Sequence, residues 1–267
     1  MMFGASTLFL YRKRKVSIAE NIRNLIEDLE PPIKVWEILD EGFNKLANHQ
    51  IKDLKELSSE YELKFSVHAP FSSINIAESS EEIRRFFVNF LISSLRRAYE
   101  IEAEAFVLHP GRLTPFTFSF PELAKEASFR SLEELLDEAE NLGIKLFAEN
   151  MPLKHELINT VESAELFFKE SDQRARFCLD TGHANLFGDV SEFIEKLRDK
   201  LSYIHIHDNF GDEDSHLAVG DGNIDWEKTA SLLKRINYEG WIILENLSID
   251  DLKRSFERLT ELFEALK

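Results

Sequence analysis

Nine side chains able to bind metal ions recur in this chain where short apolar runs end: His68, His109, Glu149, Asp180, His183, His205, Asp214, His216 and Glu245. Six of them close the runs FSVH, AFVLH, KLFAE, RFCLD, YIH and IILE, and the other three follow in the loops after two of those runs. A single imidazole on an apolar segment is ordinarily a hydrogen-bonded core residue. Six separate segments that all end this way point to ligands gathered around one or more cations. Imidazole nitrogen mixed with carboxylate oxygen suits zinc, manganese, cobalt or iron, whereas an all-oxygen set would suggest magnesium or calcium. Such an ion polarises a carbonyl or hydroxyl, or holds a hydroxide near neutral pH.

The elements that must position these groups are legible. Eight runs rich in β-branched residues, Phe or Leu read as strands: Phe3–Leu8, Ile33–Leu39, Leu63–Ala69, Ala105–Pro110, Ile144–Asn150, Arg176–Thr181, Ser202–Asp208 and Trp241–Asn246. Between them, apolar residues recur at helical spacing, as in Ile18, Ile22, Leu25, Ile26 and Leu29, or Leu132, Leu135, Leu136 and Ala139. Ser17 and Asp225 have the chemistry of helix N-caps, and Asn141-Leu142-Gly143 that of a helix stop. Strand starts recur every ~30–40 residues, the pitch of a βα unit. The fold class expected is therefore α/β, a single (β/α)8 TIM barrel, and one domain over residues 1–267. In such a barrel the loops that follow strands form the chemical face. The longest, Pro70–Ser80, Gly111–Phe120 and Asn209–Ile224, share that face with the nine ligands.

Side chains alternate along a strand. In the seventh run Ile204 and Ile206 should face the helices, while Tyr203, His205 and His207 face the barrel axis. The sixth puts Cys178 and Asp180 inside, and the eighth Ile243 and Glu245. Carboxylates buried in the barrel mouth are costly unless paired or coordinated, and a divalent cation relieves Glu149, Asp180 and Glu245 together.

Composition bounds the function. The 32 Lys and Arg against 49 Asp and Glu give a net charge of −17, which repels polyanions at long range and disfavours a nucleic-acid partner. The one cysteine, Cys178, excludes an intrachain disulfide and fits a reducing compartment. No run of about 18 apolar residues suggests a membrane span. The expectation is a cytoplasmic protein without a membrane partner.

The motifs HAPFSSINIA, HPG, AEN, CLDTGHANL, HIHDN, DSHLAVGDGNIDW and LEN together resemble the xylose isomerase-like TIM barrel superfamily over nearly the whole chain. The superfamily holds sugar and sugar-phosphate isomerases and epimerases together with endonuclease IV. The epimerase resemblance implies one metal on Glu149, Asp180, His205 and Glu245, with Glu149 and Glu245 also relaying the substrate proton. The endonuclease IV resemblance implies a trinuclear zinc site using all nine ligands. Departures from endonuclease IV lie in Gly4-Ala5-Ser6-Thr7-Leu8, in Val35-Trp36-Glu37-Ile38-Leu39, whose Glu-bearing strand is isomerase-like, and in the loop after AEN. The implied activity is metal-dependent isomerisation or epimerisation of a sugar, sugar acid or sugar phosphate, with one to three zinc, manganese or cobalt ions per chain. The second implied activity is a zinc phosphodiesterase.

Further residues carry two readings each. Arg112, after His109-Pro110-Gly111, reads as a contact to an anionic substrate or a surface loop residue; Glu37 reads as a substrate hydroxyl contact or a structural ion pair. His207 is a substrate or supporting contact, or a hydrogen-bonded barrel residue. The basic run Arg12-Lys13-Arg14-Lys15 reads as a solvated loop before a phosphate site. Cys178 reads as core, and His49 and His155 as surface residues. Gly220-Asp221-Gly222 reads as a tight turn, and Phe86, Phe87 and Phe90 as a helix face against the barrel. Phe116, Phe118 and Phe120 could wall off the pocket.

Overall fold

Strict alternation divides each strand between helices and barrel interior, and the chain closes on itself accordingly. The computed structural model describes residues 1–14 and 16–265. Its strands are β1 (Met2–Ser6), β2 (Val35–Leu39), β3 (Lys64–His68), β4 (Ala105–Leu108), β5 (Lys145–Glu149), β6 (Arg176–Asp180), β7 (Leu201–Ile206) and β8 (Trp241–Leu244). Each pairs in parallel with the next, and β8 returns to β1 with Phe3 opposite Ile242. The structure is thus a closed eight-stranded parallel barrel with flanking helices. Six of the eight expected runs contain their strand, and β1 and β7 start one residue before theirs.

The helices used below are α1 (Ile18–Asp28), α2 (Asn48–Tyr61), α3 (Glu81–Glu100), α4 (Pro121–Leu142), α5 (Val161–Glu170), α6 (Thr181–Asn185), α7 (Val190–Lys196), α8 (Trp226–Arg235) and α9 (Ile249–Ala265). Ser17 caps α1 by accepting the Glu20 N–H, and Asp225 caps α8 by accepting that of Lys228. Gly143 ends α4 at φ 73°, a left-handed conformation that favours glycine. Short α6 starts directly on Asp180, whose carboxylate accepts the His183 N–H at 2.7 Å.

Trp36, Ile38, Phe65, Phe106, Phe177, Leu179, Ile204, Ile206 and Ile242 lie in the core between strands and helices. Val35, Ala105, Val107, Phe147, Cys178, Tyr203, Trp241 and Ile243 form a separate apolar cluster inside the barrel. This plug fills the lower interior and leaves the polar inward residues stacked above it, towards the strand C-termini. Cys178 belongs to the plug, as its neighbours in sequence imply.

Two expectations need correction. Helix α3 buries Arg84, Val88, Leu91, Ser94, Leu95 and Ala98. Phe86 is 65% exposed instead of packing on the barrel, and Phe87 and Phe90 are only half-buried. Its buried stripe runs through the smaller aliphatics because Arg84 turns inward to bond Ser131, Glu81 and Glu134. Phe116, Phe118 and Phe120 stay exposed, since their loop is folded on reciprocal Thr114–Thr117 hydrogen bonds and does not turn in. In the basic run, Lys13 lies over the Phe9 ring and Arg14 over that of Phe43; Lys15 falls outside the described residues. The helix-facing core should be stiff. Truncating the fully buried Phe106 to Ala leaves a void on β4 and should cost about 3–5 kcal/mol, read as a lower denaturant midpoint at unchanged m-value.

Candidate metal centre

The barrel mouth gathers all nine expected ligands into two adjoining groups. The first is centred on His205, fully buried on β7. Its Nδ1 is 2.9 Å from Glu149, 3.7 Å from Glu245 and 4.0 Å from Asp180. His68 Nε2 and His109 Nε2 reach the other oxygen of Glu149 at 3.3 and 3.4 Å. The second group lies over β6 and the loop after β7. His183 Nε2 is 3.2 Å and His216 Nε2 3.4 Å from Asp214, and His207 Nε2 is 3.0 Å from Asp180. The two groups touch through His183 Nδ1, 3.7 Å from both Glu149 and Asp180.

Backbone contacts aim three of the six imidazoles. His68 Nδ1–H donates to the carbonyl of Ala69, His183 Nδ1–H to Asn150, and His216 Nδ1–H to Glu245. A carbonyl can only accept, so these bonds set the tautomer and leave each Nε2 facing the centre. Two residues that the sequence reading passed over align the elements beneath. The Asn150 side chain both donates to the carbonyl of Asp180 and accepts its N–H, stitching the end of β5 to that of β6. Asp208, fully buried, accepts from the N–H groups of Asn209, Gly220 and Ile224 and from the Trp226 indole. It thereby folds the loop that presents Asp214 and His216, with Gly220 at φ 91° making the anticipated turn. The tetrad HDNF and the segment GDGNIDW contain these partners, but only their meeting in space identifies Asp208 as their common acceptor.

The substrate-contact expectations divide. Arg112 lines a cavity of about 380 Å³ over the centre, with Leu8, Phe71, Met151, Pro152 and Leu153 among its walls. Glu156 faces the same cavity; burial pushes its carboxyl up, against the Leu153 N–H it accepts. Leu113 N–H donates to the His155 carbonyl and Leu157 N–H to that of Gly111, joining the loops after β4 and β5. Glu37 is not at the cavity but fully buried below His205, bonded to it instead of open to a substrate hydroxyl. His207 is also fully buried, held against Asp180 and stacked at 3.9 Å on His216, so it sits within the ligand cluster. Gly182 makes room for that ring, because a methyl group there would overlap it.

The donor set fits divalent ions. Ligand atoms of His68, His109 and Glu149, of His68, His205 and Glu245, and of Asp180, His183 and His207 each lie within 4.8 Å of one another. Among the described residues, Asp214 Oδ1 and His207 Nδ1 are buried without a hydrogen-bond partner, a costly condition for groups that could be ligands or hold them. Burial alone would raise the Glu149 carboxyl, but the His205 charge and hydrogen bonds from His109, His205 and His68 hold it well below its usual range. Glu245 goes the other way, to about 7, through burial and the charges of Glu37 and Glu149. Burial opposes charge on the His68 and His216 rings, yet Glu149 lifts the first and Asp214 the second to about 9. Burial keeps the His109 and His207 rings below their ordinary value, assisted by neighbouring imidazoles.

These shifts make the metal-free protein sensitive to alkali. His68 and His216 titrate near 6.5 in an unfolded chain and near 9 when folded, so their contribution is complete below about 6.5 and lost as pH rises through 9. Chelator-treated protein should show a falling Tm across that window, and zinc uptake at pH 7 should release protons. A flat Tm between those limits and zinc uptake without proton release would contradict the assignment.

The chain is 35% identical to an uncharacterised protein of Methanocaldococcus jannaschii, MJ1311, over 99% of its own length and 90% of that protein's. It is 26% identical to a probable endonuclease 4 of Mesomycoplasma hyopneumoniae, over 84% of this chain and 83% of the relative. A crystal structure described as a D-tagatose 3-epimerase-like protein superposes with a TM-score of 0.90 at 36% identity, covering 99% of this chain and 98% of that one. The family of xylose isomerase-like TIM barrels matches residues 30–263. With its closed barrel, the chain belongs to the xylose isomerase-like TIM barrel family.

Proposed function

We propose that this chain is a divalent-metal-dependent isomerase or epimerase acting on a sugar, sugar acid or sugar phosphate. The observation that carries the reading is the placement of Glu149 and Glu245. Both lie within 3.7 Å of one imidazole nitrogen, and their environments push their proton affinities in opposite directions. Paired carboxylates biased apart in this way suit a proton taken by one and returned by the other. The kinship with a D-tagatose 3-epimerase-like protein supports the same chemistry.

Glu149, Asp180, His205 and Glu245 would hold the ion, which when bound supplies Lewis-acid polarisation of a carbonyl and stabilises the negative charge that develops beside it. Glu149 and Glu245 take and deliver the proton on the carbon next to that carbonyl. Phe71, Met151, Pro152 and Leu153 limit water around them, and Arg112 offers a cation to an acidic or phosphorylated substituent. The ~380 Å³ cavity matches a small-molecule site and not a polymer groove. Among the described residues no helix is long and apolar enough to cross a membrane, and a buried free thiol agrees with a cytoplasmic setting.

The second group of ligands favours one other reading, a zinc phosphodiesterase with up to three ions. His183, Asp214 and His216 are superfluous to a one-metal epimerase, and a probable endonuclease 4 is among the relatives. The net charge of −17 opposes a DNA substrate.

The test is solvent exchange. Protein loaded with zinc, manganese or cobalt is incubated in D2O with ketoses, sugar acids and their phosphates, and proton NMR reads loss of the hydrogen next to the carbonyl. A positive substrate should exchange and epimerise, and Glu245→Gln should slow both by roughly 10²–10⁴-fold. Incision of an abasic-site oligonucleotide by protein carrying three zinc ions, with no exchange on any sugar, would replace this reading by the phosphodiesterase.

A further inference from the structure

Three imidazoles of the centre are aimed by backbone carbonyls, whereas His205 is aimed by a carboxylate. Its Nε2 lies 3.0 Å from Glu37 Oε2, and the same oxygen accepts the Tyr203 hydroxyl at 2.8 Å. With the Tyr203 hydrogen spent on Glu37, the Ser66 hydroxyl at 2.6 Å donates to the Tyr203 oxygen. Glu37 and Ser66 are register neighbours on β2 and β3, while Tyr203 and His205 come from β7. The four side chains therefore form a polar tie inside the barrel, between the apolar plug and the ligands.

We propose that Glu37 is a positioning residue of the metal centre, fixing the His205 ring and strengthening Nδ1 as a donor. The inference rests on the metal-dependent reading above. Three observations support it. With Nε2–H donated to Glu37, Nδ1, which faces Glu149, Asp180 and Glu245, is the ring atom left to give a lone pair to an ion that displaces its own proton. Packing alone does not account for a carboxylate at this depth. Glu37 is fully buried, and its Oε1 has no hydrogen-bond partner among the described residues. An apolar side chain of similar volume would avoid that desolvation cost. A carboxylate behind a metal-binding imidazole, in contrast, raises ligand basicity and locks the ring, and losing such a partner typically weakens metal binding 10–100-fold. Tyr203 occupies the position that keeps Glu37 Oε2 on the ring.

The experiment measures zinc affinity of the full chain by equilibrium competition with a chromogenic chelator, for wild type, Glu37→Gln, Tyr203→Phe, His205→Ala and the Glu37→Gln/His205→Ala double variant. Glu37→Gln keeps the size and an acceptor but removes the charge; it should weaken zinc binding by roughly 10-fold or more. Tyr203→Phe should move affinity the same way by a smaller factor. In the His205→Ala background Glu37→Gln should add no further loss, because the ring it orients is gone. Cobalt-loaded Glu37→Gln should also show shifted visible absorption bands. Unchanged affinity in Glu37→Gln, or an equal loss in both backgrounds, would overturn the proposal in favour of a generic structural role. Should Glu37→Gln not fold, Tyr203→Phe decides: unchanged affinity there counts against the proposal. A wild type that takes up no zinc would overturn the metal-dependent reading itself, a pattern distinct from zinc binding indifferent to Glu37.

Discussion

Charge confined to a dry barrel mouth is the constraint on which this molecule is arranged. Glu37, Glu149 and Asp180, on three strands, and Glu245, just past a fourth, are all buried, and away from water such carboxylates persist only against positive charge. Imidazoles supply part of it, which is why the rings of His68, His183, His205 and His216 are pushed towards their charged form. The cation proposed for this centre would take over that duty while leaving the same nitrogens as neutral donors. The remaining architecture can be understood as scaffolding for this compensation. The plug below keeps water out, and Asn150 and Asp208 hold the peptide ends in place above it.

The fold was readable because alternation and pitch repeat eight times. Six of the eight apolar runs end in a candidate ligand at the mouth, so one strand assigned correctly fixes the facing of its neighbours. The convergence of the nine candidate ligands was readable for the same reason, since strand ends and the loops just beyond them meet in any closed barrel. Residues whose role depends on partners across the barrel were not. On its own strand Glu37 reads as a substrate contact or a structural ion pair, and only Tyr203 and His205, more than 160 positions away, show which partners it has. His207 has the inward parity of His205 but lies one step higher, where Asp180 and His216 enclose it.

Aromatic spacing misled for a related reason. Phe86, Phe87 and Phe90 have a helical period, yet the rotation of α3 is decided by Arg84 seeking Ser131 and Glu134 on α4. A charged anchor with several partners overrides a weak apolar stripe. Phe116, Phe118 and Phe120 likewise sit on the chemical face, but a local threonine turn governs where they end up. Periodicity reports which residues could be buried together; the hydrogen bonds of the neighbouring polar groups decide whether they are.

The joined loops after β4 and β5 carry one more implication. Leu113 and Leu157 lock the two segments into a small two-stranded panel, and at its roots stand His109 and Glu149. Any swing of that panel, to admit a guest or let one leave, drags on both roots together. The panel therefore couples the rim of the cavity to His109 and Glu149, so a displacement at the rim would bear directly on the proposed cation seat.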